Sequence, residues 1–208
     1  MIPVQFITNE SERYSHEQSA AIALKGGCKW IQLRMKDYTQ DERKNVALKV
    51  SELCKEHKAI FIIDDDVELA KEIEADGVHL GKKDMPVNQA RQILGQGMII
   101  GATANKFEDI IIAKQMGADY IGLGPFRFTK TKKELSPIIG IEGYREIMKQ
   151  VRQSEIKIPV VAIGGISKED VPALMNTGIN GIAISGAILQ AEDGEKEMRS
   201  FLNLQPNR

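Results

Sequence analysis

Three adjacent carboxylates, Asp64-Asp65-Asp66, follow directly on the apolar run Ile60 to Ile63. Such neighbours repel one another, and a hard cation relieves the repulsion. Mg2+ typically takes one or two carboxylates and completes its shell with water and phosphate oxygens. Asp84 lies just past the run Gly77-Val78-His79-Leu80-Gly81, so Asp65 and Asp84 are candidate ligands of one Mg2+ shared by neighbouring loops. Capping competes with this reading. Asp65 and Glu68 have the spacing of a capping box, and Asp66 is placed to cap the helix that follows.

The segment Gln32-Leu33-Arg34-Met35-Lys36 carries hydrogen-bonding side chains at every second position, and an extended backbone turns all three to one face. An Arg fork and a Lys point charge at a strand end can grip a diphosphate, while Gln32 can bind a neutral ring or bridge to another side chain. Thr103 ends the run Gly101-Ala102-Thr103 and offers a hydroxyl to a phosphate oxygen. Thr129-Lys130-Thr131-Lys132-Lys133 brings two hydroxyls and three cations, enough to close over an anion and exclude water. Gly164-Gly165 and Ile184-Ser185-Gly186 can present backbone N–H groups to a phosphate, with a helix N-terminus adding its positive end. Each has a bland counterpart: a solvated strand end, a satisfied hydroxyl, an exposed lysine run. His16 and His57 fall in helical runs and His79 alternates with Val78 and Leu80, so no catalytic role is assigned to a histidine.

These residues need elements to hold them. Apolar or β-branched runs recur at Val4 to Thr8, Trp30 to Arg34, Ile60 to Ile63, Gly77 to Leu80, Met98 to Thr103, Tyr120 to Gly124, Val160 to Ile163 and Gly181 to Ser185. Between them lie segments of helical spacing, such as Asp41 to His57 and Ser167 to Thr177. Gly26-Gly27, Gly77, Gly117 and Gly178 separate helix from strand, where the connection calls for a residue that accepts positive φ. Near-continuous apolar strands alternating with amphipathic helices predict an α/β fold with a parallel sheet. Eight such units predict a closed (β/α)8 TIM barrel occupying residues 1–208 as a single domain. The open doubly wound sheet is the alternative, but no G-x-G-x-x-G opens the first helix. The one long irregular connection, Phe126 to Gly140, is expected to be a mobile active-site loop.

Charge narrows the partners. With 28 basic and 29 acidic residues the formal net charge is -1, which favours neither nucleic acid nor an anionic membrane, so any anion site is local. No stretch approaches the roughly 20 apolar residues of a membrane span, and the start of the chain lacks the pattern of a secretory signal. The expected location is cytoplasmic. Cys28 and Cys54 form no CxxC and are expected to be buried thiols in a reducing compartment.

In order along the chain, Gln32 to Lys36, Ile63 to Ala70, Gly77 to Gly81, Gly117 to Pro125, Thr129 to Lys133 and Ile163 to Ile166 resemble the thiamine phosphate synthase family. The resemblance spans roughly residues 4–190, and six ordered matches are far more specific than a lone motif. It implies a Mg2+-dependent transferase whose small-molecule substrates are hydroxymethylpyrimidine diphosphate and thiazole phosphate, and whose products are thiamine phosphate and diphosphate. It implies that Gln32, Arg34, Lys36, Asp64, Thr103 and Lys132 contact the pyrimidine diphosphate and that Asp65 and Asp84 hold Mg2+. Thr129, Lys130, Thr131, Gly165, Ile184 and Ser185 match positions that hold the thiazole phosphate. It further implies early breakage of the C–O bond to diphosphate, helped by Arg34, Lys36, Lys132 and Thr103, and a homodimer.

The chain departs from the family pattern at four points. Asp64 stands where Asn is common, Thr103 where Ser is common, Asn105 where His is common and Met35 where Glu is frequent. Thr keeps the hydroxyl, whereas Asp for Asn removes two amide donors and adds a charge beside a diphosphate. Two rival readings share the barrel: a thiazole tautomerase, which needs neither the diphosphate grip nor the paired aspartates, and a non-catalytic phosphate-ligand sensor.

Overall fold

In a computed structural model the described residues, 3–128 and 137–204, form a closed parallel barrel in the order β1 to β8. The strands are β1 Val4–Ile7, β2 Trp30–Leu33, β3 Ile60–Asp64, β4 Gly77–Leu80, β5 Ile99–Ala104, β6 Tyr120–Leu123, β7 Val160–Ile163 and β8 Gly181–Ile184. Each of the eight apolar runs has become a strand. The helices are α1 His16–Lys25, α2 Gln40–Glu56, α3 Val67–Glu72, α4 Val87–Leu94, α5 Phe107–Gln115, α6 Gly140–Gln153, α7 Val171–Met175, α8 Gly186–Leu189 and α9 Gly194–Leu202. A short 3-10 turn, Lys168–Asp170, enters α7, so the helical run Ser167 to Thr177 is realised as two pieces. No described helix is long and apolar enough to cross a membrane.

Strand parity divides the side chains into two sets. Outward residues such as Phe6, Ile31, Phe61, Val78, Ile100, Ile121, Val160 and Ile182 pack under the helices in the main core. A second, smaller apolar group of Ile7, Tyr120, Val161 and Ala183, with Trp30, Ile99 and Ile163 against it, fills the barrel interior. Because both faces of every strand are covered, the strands read as continuous apolar runs.

The helix starts are fixed by side chains. Ser15 with Gln18 and Thr39 with Glu42 form capping boxes on α1 and α2, each satisfying donors that the first turn leaves unpaired. The glycines between helix and strand divide by cause. Gly27, Gly117 and Gly178 have positive φ, as their position after a helix predicts. Gly26 and Gly77 do not; they are required by close approach. A Cβ on Gly26 would lie 2.6 Å from Met198 Cβ, and one on Gly77 would lie 2.1 Å from the Ile99 carbonyl oxygen. Both cysteines are buried free thiols.

Candidate active site

The C-terminal ends of the strands carry the polar residues singled out by their spacing. Gln32 on β2 is 2 % exposed and donates from Nε2 to Asp64 Oδ1 of β3 at 2.6 Å. Arg34, one residue past β2, sets its Nε 3.4 Å from Asp64 Oδ2, and its backbone N–H donates to Thr8 Oγ1 at 3.1 Å. Asp64, with its side chain 7 % exposed, thus joins Gln32 and Arg34. Because a carboxylate only accepts, it fixes the Gln32 amide with Nε2 as the donor, and Gln32 Oε1 is a buried acceptor with no partner among the described residues.

The aspartate run divides its labour. Asp66 caps α3, its Oδ1 accepting from Leu69 N at 3.0 Å, and it pairs with Arg43 at 2.8 Å. Asp65 adopts φ 66°, a left-handed conformation that a short polar side chain tolerates. Its backbone N–H donates to the His79 carbonyl at 2.8 Å, which ties the end of β3 to β4. The Asp65 side chain meets Lys36 Nζ at 2.7 Å and hydrogen-bonds the carboxyl of Asp84. Asp84 Oδ2 also accepts from Gly81 N at 2.7 Å.

Two carboxyl groups in contact cannot both ionise freely. Burial pushes Asp84 up, and the hydrogen bond and charge of Asp65 push the same way, to about 6. Burial also works against Asp65, but the hydrogen bond from Asp84 and the Lys36 ammonium prevail and hold it below the ordinary aspartate range. The pair therefore holds a proton only below about pH 6 and carries two adjacent negative charges above it, which a divalent cation would offset. Two carboxylate oxygen donors fit Mg2+, which completes its shell with water and phosphate oxygens. Among the described residues no group of three or more His, Cys, Asp or Glu gathers as a metal cage, so a cation here would depend on ligands from the substrate.

Beside this cluster lies a cavity of about 450 Å3 lined by Arg34, Thr103, Gly165, Ile184 and Ser185, together with Thr8, Gly164 and Gly186. Gly164 and Gly165 have φ 104° and 65°, conformations open to glycine, and a Cβ on Gly164 would lie 2.9 Å from Pro125 Cα. The loop is braced from outside by Arg127, whose guanidinium donates to the Gly165 carbonyl at 3.2 Å and to Asp170. Ser185 Oγ is buried with no partner among the described residues. A buried hydroxyl without a partner next to exposed glycine backbone suits an anionic oxygen.

The sequence profile described as thiamine monophosphate synthase matches residues 4–188. The chain belongs to that family. It is 58% identical to the thiamine-phosphate synthase of Bacteroides thetaiotaomicron, covering 98% of both chains. It is 47% identical to that of Flavobacterium johnsoniae over 91% of this chain and 90% of the other. Among solved structures, a thiamine phosphate pyrophosphorylase from Pyrococcus furiosus superposes with a TM-score of 0.81 at 35% identity, covering 97% of this chain and 95% of that one.

Set within the family, the departures have structural places. Asp64 is the hub just described. Thr103 keeps its hydroxyl at the cavity. Asn105 lies outside the cavity lining and donates from Nδ2 to the Gly124 carbonyl, while its N–H donates to Asp109 Oδ2 at 2.9 Å. Met35 is buried in the main core. Thr129, Lys130, Thr131 and Lys132 lie outside the described residues.

Sequence reasoning missed His79. Its imidazole lies 6 % exposed inside the barrel, with Nε2 3.0 Å from Thr103 Oγ1 and Nδ1 3.0 Å from the Tyr120 hydroxyl. Its signal was available as a polar residue on the inward parity of a strand, facing glycines on β5 and β6. Thr8 was missed as well. Its hydroxyl accepts from Arg34 N and lies 3.0 Å from His16 Nδ1, so it fixes the backbone that carries the guanidinium.

Proposed function

We propose that the chain is a thiamine phosphate synthase. It transfers the pyrimidinylmethyl group of hydroxymethylpyrimidine diphosphate to the ring nitrogen of thiazole phosphate and releases diphosphate. The observation that carries this reading is the joining of a cation-and-carboxylate cluster, Arg34, Lys36, Asp65 and Asp84, to a second anion site at Gly165 and Ser185 on one barrel rim. A tautomerase of the thiazole alone needs only the second.

In this reading Gln32, Arg34, Lys36, Asp64 and Thr103 bind the pyrimidine diphosphate, with Lys132 from the sixth connection. Gly165, Ile184 and Ser185, with Thr129, Lys130 and Thr131, bind the thiazole phosphate. Asp65 and Asp84 would hold Mg2+, which when bound neutralises charge on the diphosphate. The C–O bond breaks first, the electron pair leaves with the diphosphate, and the thiazole nitrogen supplies the pair for the new C–N bond. The protein needs no nucleophile. It supplies orientation, by fixing Arg34 through Asp64 and Thr8, and stabilisation of the leaving oxygens by Arg34, Lys36 and Lys132. A homodimer is part of the same proposal and rests on the resemblance.

One assay tests it. Purified protein with both substrates and Mg2+ should yield thiamine phosphate and diphosphate in equal amounts, and a chelator should stop both. Conversion of the thiazole phosphate alone would make it a tautomerase; no conversion would make it a binding protein.

A further inference from the structure

Four polar side chains from four different strands meet inside the barrel. Gln5 on β1 is 2 % exposed, and its Nε2 donates to the Tyr120 hydroxyl at 3.1 Å. Tyr120 on β6 meets His79 Nδ1, and His79 Nε2 meets Thr103 Oγ1, each at 3.0 Å. The fold makes room for the two rings deliberately. A Cβ on Gly101 would lie 2.2 Å from Tyr120 Cζ and 2.5 Å from His79 Nδ1, and one on Gly122 would lie 2.9 Å from His79 Cε1. Two strand glycines, each a cost to a strand interior, are what this cluster requires.

The donor inventory gives the contacts a direction. A phenol has one proton. With its oxygen accepting from Gln5, that proton goes to His79 Nδ1. A neutral imidazole accepting at Nδ1 carries its proton on Nε2, and Nε2–H donates to Thr103 Oγ1. The Thr103 proton is then directed away from His79, at a residue that lines the cavity beside Arg34 and Gly165. We infer that Gln5, Tyr120 and His79 form a one-way hydrogen-bond chain that holds the Thr103 hydroxyl as a fixed donor to a substrate phosphate oxygen.

The reverse order would spend the Thr103 proton on His79 and present a bare acceptor to an anion that also only accepts. That contrast rests on the diphosphate site proposed above. Gln5, Tyr120 and His79 are positioning residues, because they act through Thr103. Tyr120→Phe is the natural probe: the ring stays, with its edge contact to Trp30 at a centroid distance of 4.9 Å, and only the hydroxyl goes.

The test uses the intact protein with 15N-labelled histidine and, as ligand, inorganic diphosphate with Mg2+ in calorimetry. His79 should appear as the neutral Nε2–H tautomer. The variants Tyr120→Phe and Thr103→Val should each weaken diphosphate binding roughly three- to tenfold, the scale of one hydrogen bond. The double variant should lose little more than either alone, since both remove the same donor. A neutral Nδ1–H tautomer, additive losses in the double variant, or a parent that does not bind diphosphate would each overturn the chain. Neither measurement uses turnover, so an inactive parent with the Nε2–H tautomer and coupled losses would count against the proposed function alone.

Discussion

Asp84 and Asp65 meet carboxyl to carboxyl past the ends of β4 and β3, and the meeting drives their proton affinities apart. Lys36 settles which of them carries the charge, since its ammonium lies 2.7 Å from Asp65. The folded protein therefore keeps a proton on Asp84 well above the pH at which an exposed aspartate would lose it.

This gives a pH dependence with a definite sign. Asp84 moves from an ordinary 3.8 to about 6 in the fold, so its contribution to stability is fully present below the lower value and is lost as pH rises through the upper one. Above that point two neighbouring negative charges remain, which is the form that would bind the proposed Mg2+. Without metal, Tm should fall between roughly pH 4 and pH 7 more in the parent than in Asp84→Asn. Mg2+ should raise the parent's Tm at about pH 8 and hardly at about pH 5. An equal Mg2+ shift at both values, or an undiminished shift in Asp84→Asn, would remove the shared-ion model.

Asp64 can be tested by separating its charge from its acceptor. In Asp64→Ala the Gln32 amide and the Arg34 Nε lose their common partner, and kcat/KM for the pyrimidine diphosphate should drop at least about tenfold, the scale of a charge-assisted hydrogen bond. Asp64→Asn keeps an oxygen for Gln32 and removes the negative charge, so it should recover most of the loss. Steady-state kinetics with the thiazole phosphate saturating decides this. An Asn variant as slow as the Ala variant would mean that the charge, rather than the acceptor, is what the site uses.

The strand glycines make a stability prediction. Gly101→Ala forces a methyl into the Tyr120 and His79 rings, and overpacking a filled interior costs about 1–3 kcal/mol. Its urea midpoint should fall with the m-value unchanged, and diphosphate binding should weaken with it. At Gly97 a Cβ meets nothing within 4 Å, so Gly97→Ala should stay within about 0.5 kcal/mol of the parent.

The barrel was legible in the sequence because each strand is covered on both faces, which leaves unbroken apolar runs at regular intervals. The rim was legible in part. Gln32, Arg34 and Lys36 declare themselves by alternation on one strand. The interior chain does not, because its members lie on different strands and only the register joins them: His79 opposite Gly101, Gly101 opposite Tyr120, Thr103 opposite Gly122. The split between Asp65 and Asp66 was open for another reason. It turns on a single residue's left-handed φ, and the residue types on either side permit both arrangements.

Ser185 separates a ligand role from a structural one most cleanly. Its hydroxyl is buried at the cavity and hydrogen-bonds nothing among the described residues, so Ser185→Ala breaks no hydrogen bond among them. A buried polar group without a partner lowers stability, and its removal should leave Tm unchanged or slightly higher. With ligand present the sign reverses. If Ser185 Oγ donates to the thiazole phosphate, KM for that substrate should rise roughly three- to tenfold while KM for the pyrimidine diphosphate stays put. A lower Tm with both KM values intact would mean that the hydroxyl serves the fold, and the phosphate site would then rest on the Gly164-Gly165 backbone alone.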